Sequence, residues 1–267
     1  MHFEGIQIMQ DIDMGEKIQD EIIRQGLLAK HVVLGNALVD MYAKCGILSK
    51  AQKVFDELPL RNEISWNALI AGYAQQGEGQ KALGCFHRMR SEGFFPNVVS
   101  WTALIGGYVQ QGLAKEALDC FLWMQQDGIY PNAITFLNVL NACNRSGLVD
   151  RGQIYFDSMR EKYGIAPGKK HYTCMVGLFG RATLFDKAMR IVRMMPSSDY
   201  LPVWSALLGA CQKWENVNLG RFAFERGVQL DVFDAGAYVS MSDIYAAAGM
   251  QEEAQNIVRL RVKNTVG

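Results

Sequence analysis

Two polar side chains in this sequence occupy places where a purely structural residue would be apolar. Asn67 and Thr102 lie inside two segments, ISWNALIAGYAQQGEGQKALGCFHRM from Ile64 and VSWTALIGGYVQQGLAKEALDCFLWM from Val99, which agree at more than half of their positions. Asn offers a hydrogen-bond donor and an acceptor together, whereas the Thr hydroxyl is shorter and leaves room for a larger group opposite it. Asn is a poor helix-interior residue whose usual task is capping. Ser65, Ser100 and Thr135 are the expected N-caps, which leaves Asn67 and Thr102 one turn inside their helices without a structural task. Such positions suit recognition of a ligand by hydrogen bonding.

Other chemistry-bearing residues are sparser. Basic side chains recur at one place in three repeat units, Lys44, Arg145 and Arg181, with Gln75 and Gln110 at that place in two others. Six cysteines, Cys45, Cys85, Cys120, Cys143, Cys174 and Cys211, are widely spaced and make no Cys-x-x-Cys pair. They read as small core residues of a reducing compartment, not as a zinc site or disulfide framework, so neither metal nor cofactor is expected.

The elements that must position these residues follow from the repeat. A fixed period of this length means units that cannot bury an apolar face alone and must stack on their neighbours. Units fall at 32–62, 63–97, 98–132, 133–168, 169–200, 201–234 and 235–267, preceded by a truncated unit over 1–31. The fifteenth place of successive units reads Gly46, Gly77, Gly112, Gly147, Thr183, Glu215 and Gly249, with helical apolar periodicity on both sides, so it marks the turn between two helices. In the second helix a small residue precedes an apolar one by four, as in Ala51/Phe55, Ala82/Phe86, Ala117/Phe121, Gly152/Phe156 and Ala188/Val192, which puts both on one face. Pro59, Pro96, Pro131, Pro167 and Pro196 are expected to stop the second helices. Trp66, Trp101, Phe136 and Tyr172 are the expected packing residues between hairpins. The fold class is all-α, a superhelical solenoid of stacked helix-turn-helix repeats.

Composition narrows the function. Of 267 residues, 49% are hydrophobic and 20% charged, the profile of a folded protein. Lys plus Arg equal Asp plus Glu at 27 each, which argues against gripping nucleic acid through a broad basic surface, so any RNA binding must lean on base contacts. No apolar run is long enough to span a membrane, and no membrane association is expected. The first residues, MHFEGIQIMQ, have neither a secretory apolar region nor the character of an organelle transit peptide, which is expected to be absent or removed.

The order of these motifs resembles the pentatricopeptide repeat family, in its plant P-L-S subclass with C-terminal extension motifs. NALVDMYAKCG from Asn36 is similar to a short (S) repeat, VSWTALIGGYVQQG from Val99 to a 35-residue P repeat, ITFLNVLNACNRSGLVDRGQIYFDSM from Ile134 to the last long (L) repeat, and HYTCMVGLFGRATLFDKA from His171 to the last S repeat. VWSALLGACQKWENVNLG and AYVSMSDIYAAAGMQEEA resemble the paired extension (E) motifs, the second of them degenerate. IDMGEKIQDEIIRQGL resembles an L repeat missing its start.

That resemblance implies single-stranded organellar RNA as the partner, one base per repeat, with the fifth and last residues of a repeat on the base edge and the second wedged between bases. It assigns base reading to Asn36 with Asn62, Asn67 with Asn97, and Thr102 with Asn132, and wedging to Val33, Ile64, Val99 and Ile134. Leu137 with Gly168 offers no polar group and should be silent. Thr173 suggests a purine, with Asp199 as its partner. Lys44, Arg145 and Arg181 become candidate phosphate contacts. Asn/Asn implies pyrimidines, C above U, and Thr/Asn implies A, so the expected target reads 5′-pyrimidine, pyrimidine, A, any, purine.

By the same resemblance the chain is a non-catalytic recognition factor for C-to-U editing in the mitochondrion or chloroplast. A DYW-type cytidine deaminase would act in trans, with accessory editing factors, or on chain beyond this sequence; the Cys-x-x-Cys half of its zinc signature is not present. Alternatives are a pentatricopeptide factor for RNA stability, splicing or translation, a tetratricopeptide-like protein-binding scaffold, and a repeat-fused nuclease.

Overall fold

A computed structural model describes residues 14–22, 24–29, 31–197 and 199–266. Residues 1–13, 23 and 30 of the expected truncated unit lie outside the described residues, as does Gly267. Residues 14–22 are helical, and Leu27–Ala29 forms a short 3-10 turn. From there the described residues run as helical hairpins: α1 (Val32–Lys44) with α2 (Leu48–Glu57), α3 (Glu63–Gln75) with α4 (Gly79–Ser91), α5 (Val98–Gln110) with α6 (Ala114–Gln126), and α7 (Ala133–Ser146) with α8 (Val149–Glu161). They continue as α9 (Lys169–Arg181) with α10 (Phe185–Met194), α11 (Leu201–Lys213) with α12 (Val217–Leu230), and α13 (Ala235–Ala247) with α14 (Gln251–Val266). Among the described residues there is no strand, and none of the helices is long and apolar enough to cross a membrane.

The chain divides into two compact units, residues 1–142 and 143–267. In the first unit each opening helix packs on its own return helix and on the opening helix of the next hairpin, α1 on α3 and α3 on α5. In the second unit α9 packs on α10 and α11, and α11 on α12 and α13.

Aromatic pairs stitch the return helices α2, α4, α6 and α8 to the hairpins that follow them. Phe55 meets Trp66 at 4.5 Å between ring centroids, Phe86 meets Trp101 at 4.4 Å, and Phe121 meets Phe136 at 5.6 Å. Phe156 repeats the contact with Tyr172 at 5.5 Å in the second unit. All eight rings are buried, as are Ala51, Ala82, Ala117, Gly152 and Ala188 one turn before the apolar partner, so truncating one of these phenylalanines to Ala should cost about 3–5 kcal/mol.

The turn inside each hairpin is one conformation used repeatedly. Gly77 has φ 77°, its N–H donates to the Ala74 carbonyl at 3.2 Å, and the Glu78 N–H donates to the Tyr73 carbonyl at 2.9 Å, the two bonds that close a Schellman cap. The same left-handed residue recurs at Gly46, Gly112, Gly147 and Gly249. Thr183 and Glu215 hold φ of 61° and 53° at the equivalent turns, a conformation that costs L-residues roughly 1–2 kcal/mol.

The prolines stop helices in only part of the chain. Before Pro59 and Pro196, Leu58 and Met195 turn extended with ψ of 121° and 138°, as the residue ahead of a proline must. The longer α4, α6 and α8 end earlier, near Gly93, Gly128 and Gly164, which adopt positive φ; Pro96, Pro131 and Pro167 lie in the connectors beyond.

Candidate nucleic-acid interface

The starts of the opening helices build the site, and their capping differs from the sequence expectation. Asn62, not Ser65, caps α3: its Oδ1 accepts the Ser65 N–H at 3.0 Å, and the Asn62 N–H donates back to Ser65 Oγ at 3.2 Å. Asn97 caps α5 in the same way with Ser100, and Asn132 exchanges the same bonds with Thr135 at the start of α7. Ser65, Ser100 and Thr135 therefore stand three residues inside, closing a capping box. The extended backbone at Asn62 and Asn97, with ψ near 180°, holds each amide over the first turn. At α9, which follows Gly168, His171 takes the inner role through Nδ1, accepting the Gly168 N–H at 3.0 Å.

This capping joins the expected base-reading residues Asn36 to Asn132 into three separate networks, one at each junction between repeats. Asn36 Nδ2 donates to Asn62 Oδ1 at 3.1 Å, while Ser65 Oγ donates to Asn36 Oδ1. One repeat on, Asn67 Nδ2 donates to Asn97 Oδ1 at 3.3 Å and Ser100 Oγ donates to Asn67 Oδ1. Thr102 shares a 2.6 Å hydrogen bond with Thr135, whose hydroxyl also reaches Asn132 Oδ1 at 3.0 Å. Asn36 and Asn67 are nearly buried at 6% and 8% exposure, and Ser65, Ser100 and Thr135 are fully so. The fifth-place residues thus have a structural task that their sequence context concealed: they tie consecutive repeats together.

Beside each network stands an exposed aliphatic side chain. Val33, Ile64, Val99 and Ile134 are 71%, 62%, 52% and 62% exposed, each at the second residue of its opening helix. Burial in a hairpin core does not explain a β-branched apolar residue left in water at the same place four times.

The remaining expected residues are arranged differently. Leu137 is half-buried, and Gly168 is the residue before α9. Thr173 turns its hydroxyl onto the Lys169 carbonyl at 3.0 Å. Asp199 is exposed and its N–H donates to Ser197 Oγ, while Tyr200 fills the place before α11 that Asn62 and Asn97 fill before α3 and α5. Thr173 and Asp199 make no hydrogen bond with each other, so this pair is not assembled like the earlier ones, because the connector ahead of α11 carries one residue more between Asp and helix. Lys44, Arg145 and Arg181 are exposed in the last turns of α1, α7 and α9. Lys44 Nζ lies 2.6 Å from Asp40 in an exposed pair, worth no more than about 0.5 kcal/mol and so readily exchanged for another anion.

The cysteines belong to packing. Cys120, Cys143, Cys174 and Cys211 are buried, and burial pushes the thiols of Cys120, Cys174 and Cys211 up to about 12 and those of Cys85 and Cys143 to about 11. Such groups are protonated at neutral pH and are poor nucleophiles or metal ligands.

Comparison with known proteins shows the family and the fold. A family model described as PPR repeat family matches residues 61–100 and 96–145, and one described as PPR repeat matches residues 36–62, 134–163 and 170–200. The chain belongs to the pentatricopeptide repeat family. Pentatricopeptide repeat-containing proteins of Arabidopsis thaliana are similar to it: one is 35% identical over 255 residues, covering 96% of this chain and 32% of the relative. Another is 34% identical over 257 residues, covering 96% and 44%, and a third, designated mitochondrial, is 36% identical over 251 residues, covering 94% and 32%. The pentatricopeptide chain thus spans 32–44% of the length of these relatives.

The crystal structure of the pentatricopeptide repeat protein PPR10 in complex with an 18-nt psaJ RNA element is similar in fold, with TM-score 0.83 and 18% identity over 95% of this chain and 38% of that one. PPR10 from maize is similar at TM-score 0.62 and 21% identity, covering 94% and 37%. The fold is accordingly the all-α superhelical repeat fold of the pentatricopeptide family. The sequence did not reveal that Ser65, Ser100 and Thr135 close the caps from inside and hydrogen-bond the fifth-place residues; its signal is a hydroxyl at the third place of three successive units.

Proposed function

We propose that this chain binds single-stranded RNA and reads one base per repeat. The observation that carries the reading is the recurrence, at a fixed offset, of an exposed aliphatic wedge beside a polar pair: Val33 with Asn36 and Asn62, Ile64 with Asn67 and Asn97, Val99 with Thr102 and Asn132. A base slid between successive aliphatic side chains meets polar groups only at its edge, which is the arrangement base-by-base recognition needs. The PPR10 complex with RNA supports an RNA partner for the shared fold. With zero formal net charge, affinity leans on these contacts more than on phosphate neutralisation.

The finer reading is a site-recognition factor for C-to-U editing of organellar transcripts, with the target cytidine four bases beyond the base read by the 169–200 unit. The P-L-S order of repeats and the E-like hairpins over 201–234 and 235–267 support it. A DYW-type deaminase in trans would supply the chemistry, together with accessory editing factors. The relative designated mitochondrial supports an organellar setting, either mitochondrion or chloroplast. A target of two pyrimidines, one A and one purine occurs about once in 32 positions, so further repeats or partners must sharpen it.

An unbiased RNA selection with the purified chain tests the reading. The expected product is enriched in 5′-pyrimidine, pyrimidine, A, any, purine. No binding, or binding with no preference for A at the third place, overturns it.

A further inference from the structure

We infer that the inner-cap hydroxyls Ser65 and Ser100, one repeat beyond the bases they influence, are positioning residues that determine specificity. Each fixes which way the preceding fifth-place Asn faces, so that an Asn/Asn pair meets a base with N–H donors only. The inference rests on the RNA reading proposed above and deepens it.

A hydroxyl carries a single hydrogen. Ser100 Oγ accepts the Asn97 N–H at 3.1 Å, and its own hydrogen faces three acceptors, Asn67 Oδ1 in the shortest contact, Asn97 Oδ1 at 3.4 Å and Met89 Sδ at 4.0 Å. The shortest contact fixes the Asn67 amide with its oxygen inward, and Nδ2 is thereby turned to Asn97 Oδ1 at 3.3 Å. That second oxygen is already held by the N–H groups of Val99 at 2.9 Å and Ser100 at 3.3 Å. Both amide oxygens of the pair therefore face internal donors, and one N–H of Asn67 with two of Asn97 remain for a ligand.

The preceding pair is arranged alike. Ser65 Oγ donates to Asn36 Oδ1, Asn36 Nδ2 donates to Asn62 Oδ1 at 3.1 Å, and that oxygen also accepts the Ser65 N–H at 3.0 Å. Ser65 and Ser100 are both 0% exposed, so water cannot replace the hydroxyl as the donor that sets the flip. A face made of N–H donors complements cytosine, whose O2 and N3 are adjacent acceptors. Uracil answers less well, because its N3–H sets a donor between its two carbonyls.

Without the hydroxyl, the Asn67 amide is free to turn and offer its oxygen, which accepts from uracil N3–H. The variants S100A and S100T, assayed by equilibrium binding to RNAs differing only at the second base, test this. S100A should lower the C-over-U affinity ratio there by about threefold to tenfold, the worth of one net hydrogen bond, while the preference for A at the third place holds. S100T should restore the ratio.

An S100A chain that loses affinity equally for all four bases, with their ranking kept, overturns the positioning role and leaves the RNA reading intact. A wild-type chain indifferent to the second base overturns the RNA reading itself. Should S100A not fold, S65A asks the same question at the first base. In the wild-type chain, side-chain amide exchange followed by NMR should show one Asn67 Nδ2 hydrogen exchanging slowly; equally fast exchange of both overturns the assigned orientation without use of RNA.

Discussion

The side-chain amides of Asn67 and Asn97, at opposite ends of one repeat, are hydrogen-bonded to each other, Nδ2 to Oδ1 at 3.3 Å, while Asn97 also caps the helix of the next repeat. Helix capping and the tie to the preceding repeat therefore share one atom, Asn97 Oδ1, while the proposed base contact uses the N–H groups, so substitutions can separate them. N97A removes the cap and should cost about 0.5–2 kcal/mol. N97D keeps the capping oxygen, favours the helix dipole and lacks both N–H groups, so its melting temperature should stay close to wild type. Its preference at the second base should move from C toward U, whose N3–H a carboxylate can accept. Thermal melts beside binding to the C and U sequences check both outcomes.

A second test concerns the seam between opening helices. A Cβ placed on Gly72 would lie 2.5 Å from Ala43 Cβ, so these helices touch where only one methyl fits. Gly180 in α9 stands in the same relation to Ala210 in α11 at 2.6 Å, with the glycine on the earlier helix instead of the later. G72A should destabilise by about 1–3 kcal/mol, the usual cost of overpacking. Adding A43G should recover most of that loss. Denaturant midpoints for the two single variants and the double give the coupling directly, and additive losses would show that the seam is not the cause.

Thr183 and Glu215 occupy turns that glycine fills elsewhere in the chain. T183G and E215G should each stabilise by about 0.5–1 kcal/mol, the left-handed strain removed less the extra chain entropy of glycine. The reverse change, G77A, places a Cβ at φ 77° and should destabilise by about 1 kcal/mol. Thermal unfolding of the three variants decides.

The buried thiols give stability a definite alkaline limit. Their folded values of about 11 to 12 lie above the ordinary 9.0, so in rising pH the unfolded chain loses these protons first. Above about pH 9 the unfolded state then binds fewer protons, and unfolding becomes easier as pH climbs toward 12. Melting temperature should fall over that window, and replacing Cys211 with Ser or Ala should flatten the slope. Iodoacetamide at pH 8 should leave Cys120, Cys174 and Cys211 unmodified until the chain unfolds.

Much of this architecture was legible in the sequence because it repeats. Gly77 and Gly112, thirty-five residues apart, mark the same turn, and Trp66, Trp101, Phe136 and Tyr172 fall where rings must pack against Phe55, Phe86, Phe121 and Phe156. Ser65 and Ser100 depart from the expected capping role because capping propensity favours Ser and Asn alike, and Asn62 and Asn97 lie three residues upstream across an expected repeat boundary. The tie between Asn67 and Ser100 joins consecutive units 33 residues apart, so a unit-by-unit reading does not meet it. The resemblance pairs Asp199 with Thr173, whereas the longer connector before α11 gives the capping place to Tyr200. Gly72 against Ala43 was hidden for a similar reason: either partner of the contact can carry the missing methyl.

Because the last residue of one repeat is held by the third residue of the next, the proposed recognition cassette is offset from the period that defines the repeat. A segment excised between Asn97 and Val98 parts Asn97 from Ser100 and so from the hydroxyl that orients Asn67. A segment excised after Trp101 keeps Asn67, Asn97 and Ser100 on one piece. Chimeras assembled from modules of this chain should therefore be cut four residues past the repeat boundary if a transplanted unit is to carry its preference with it.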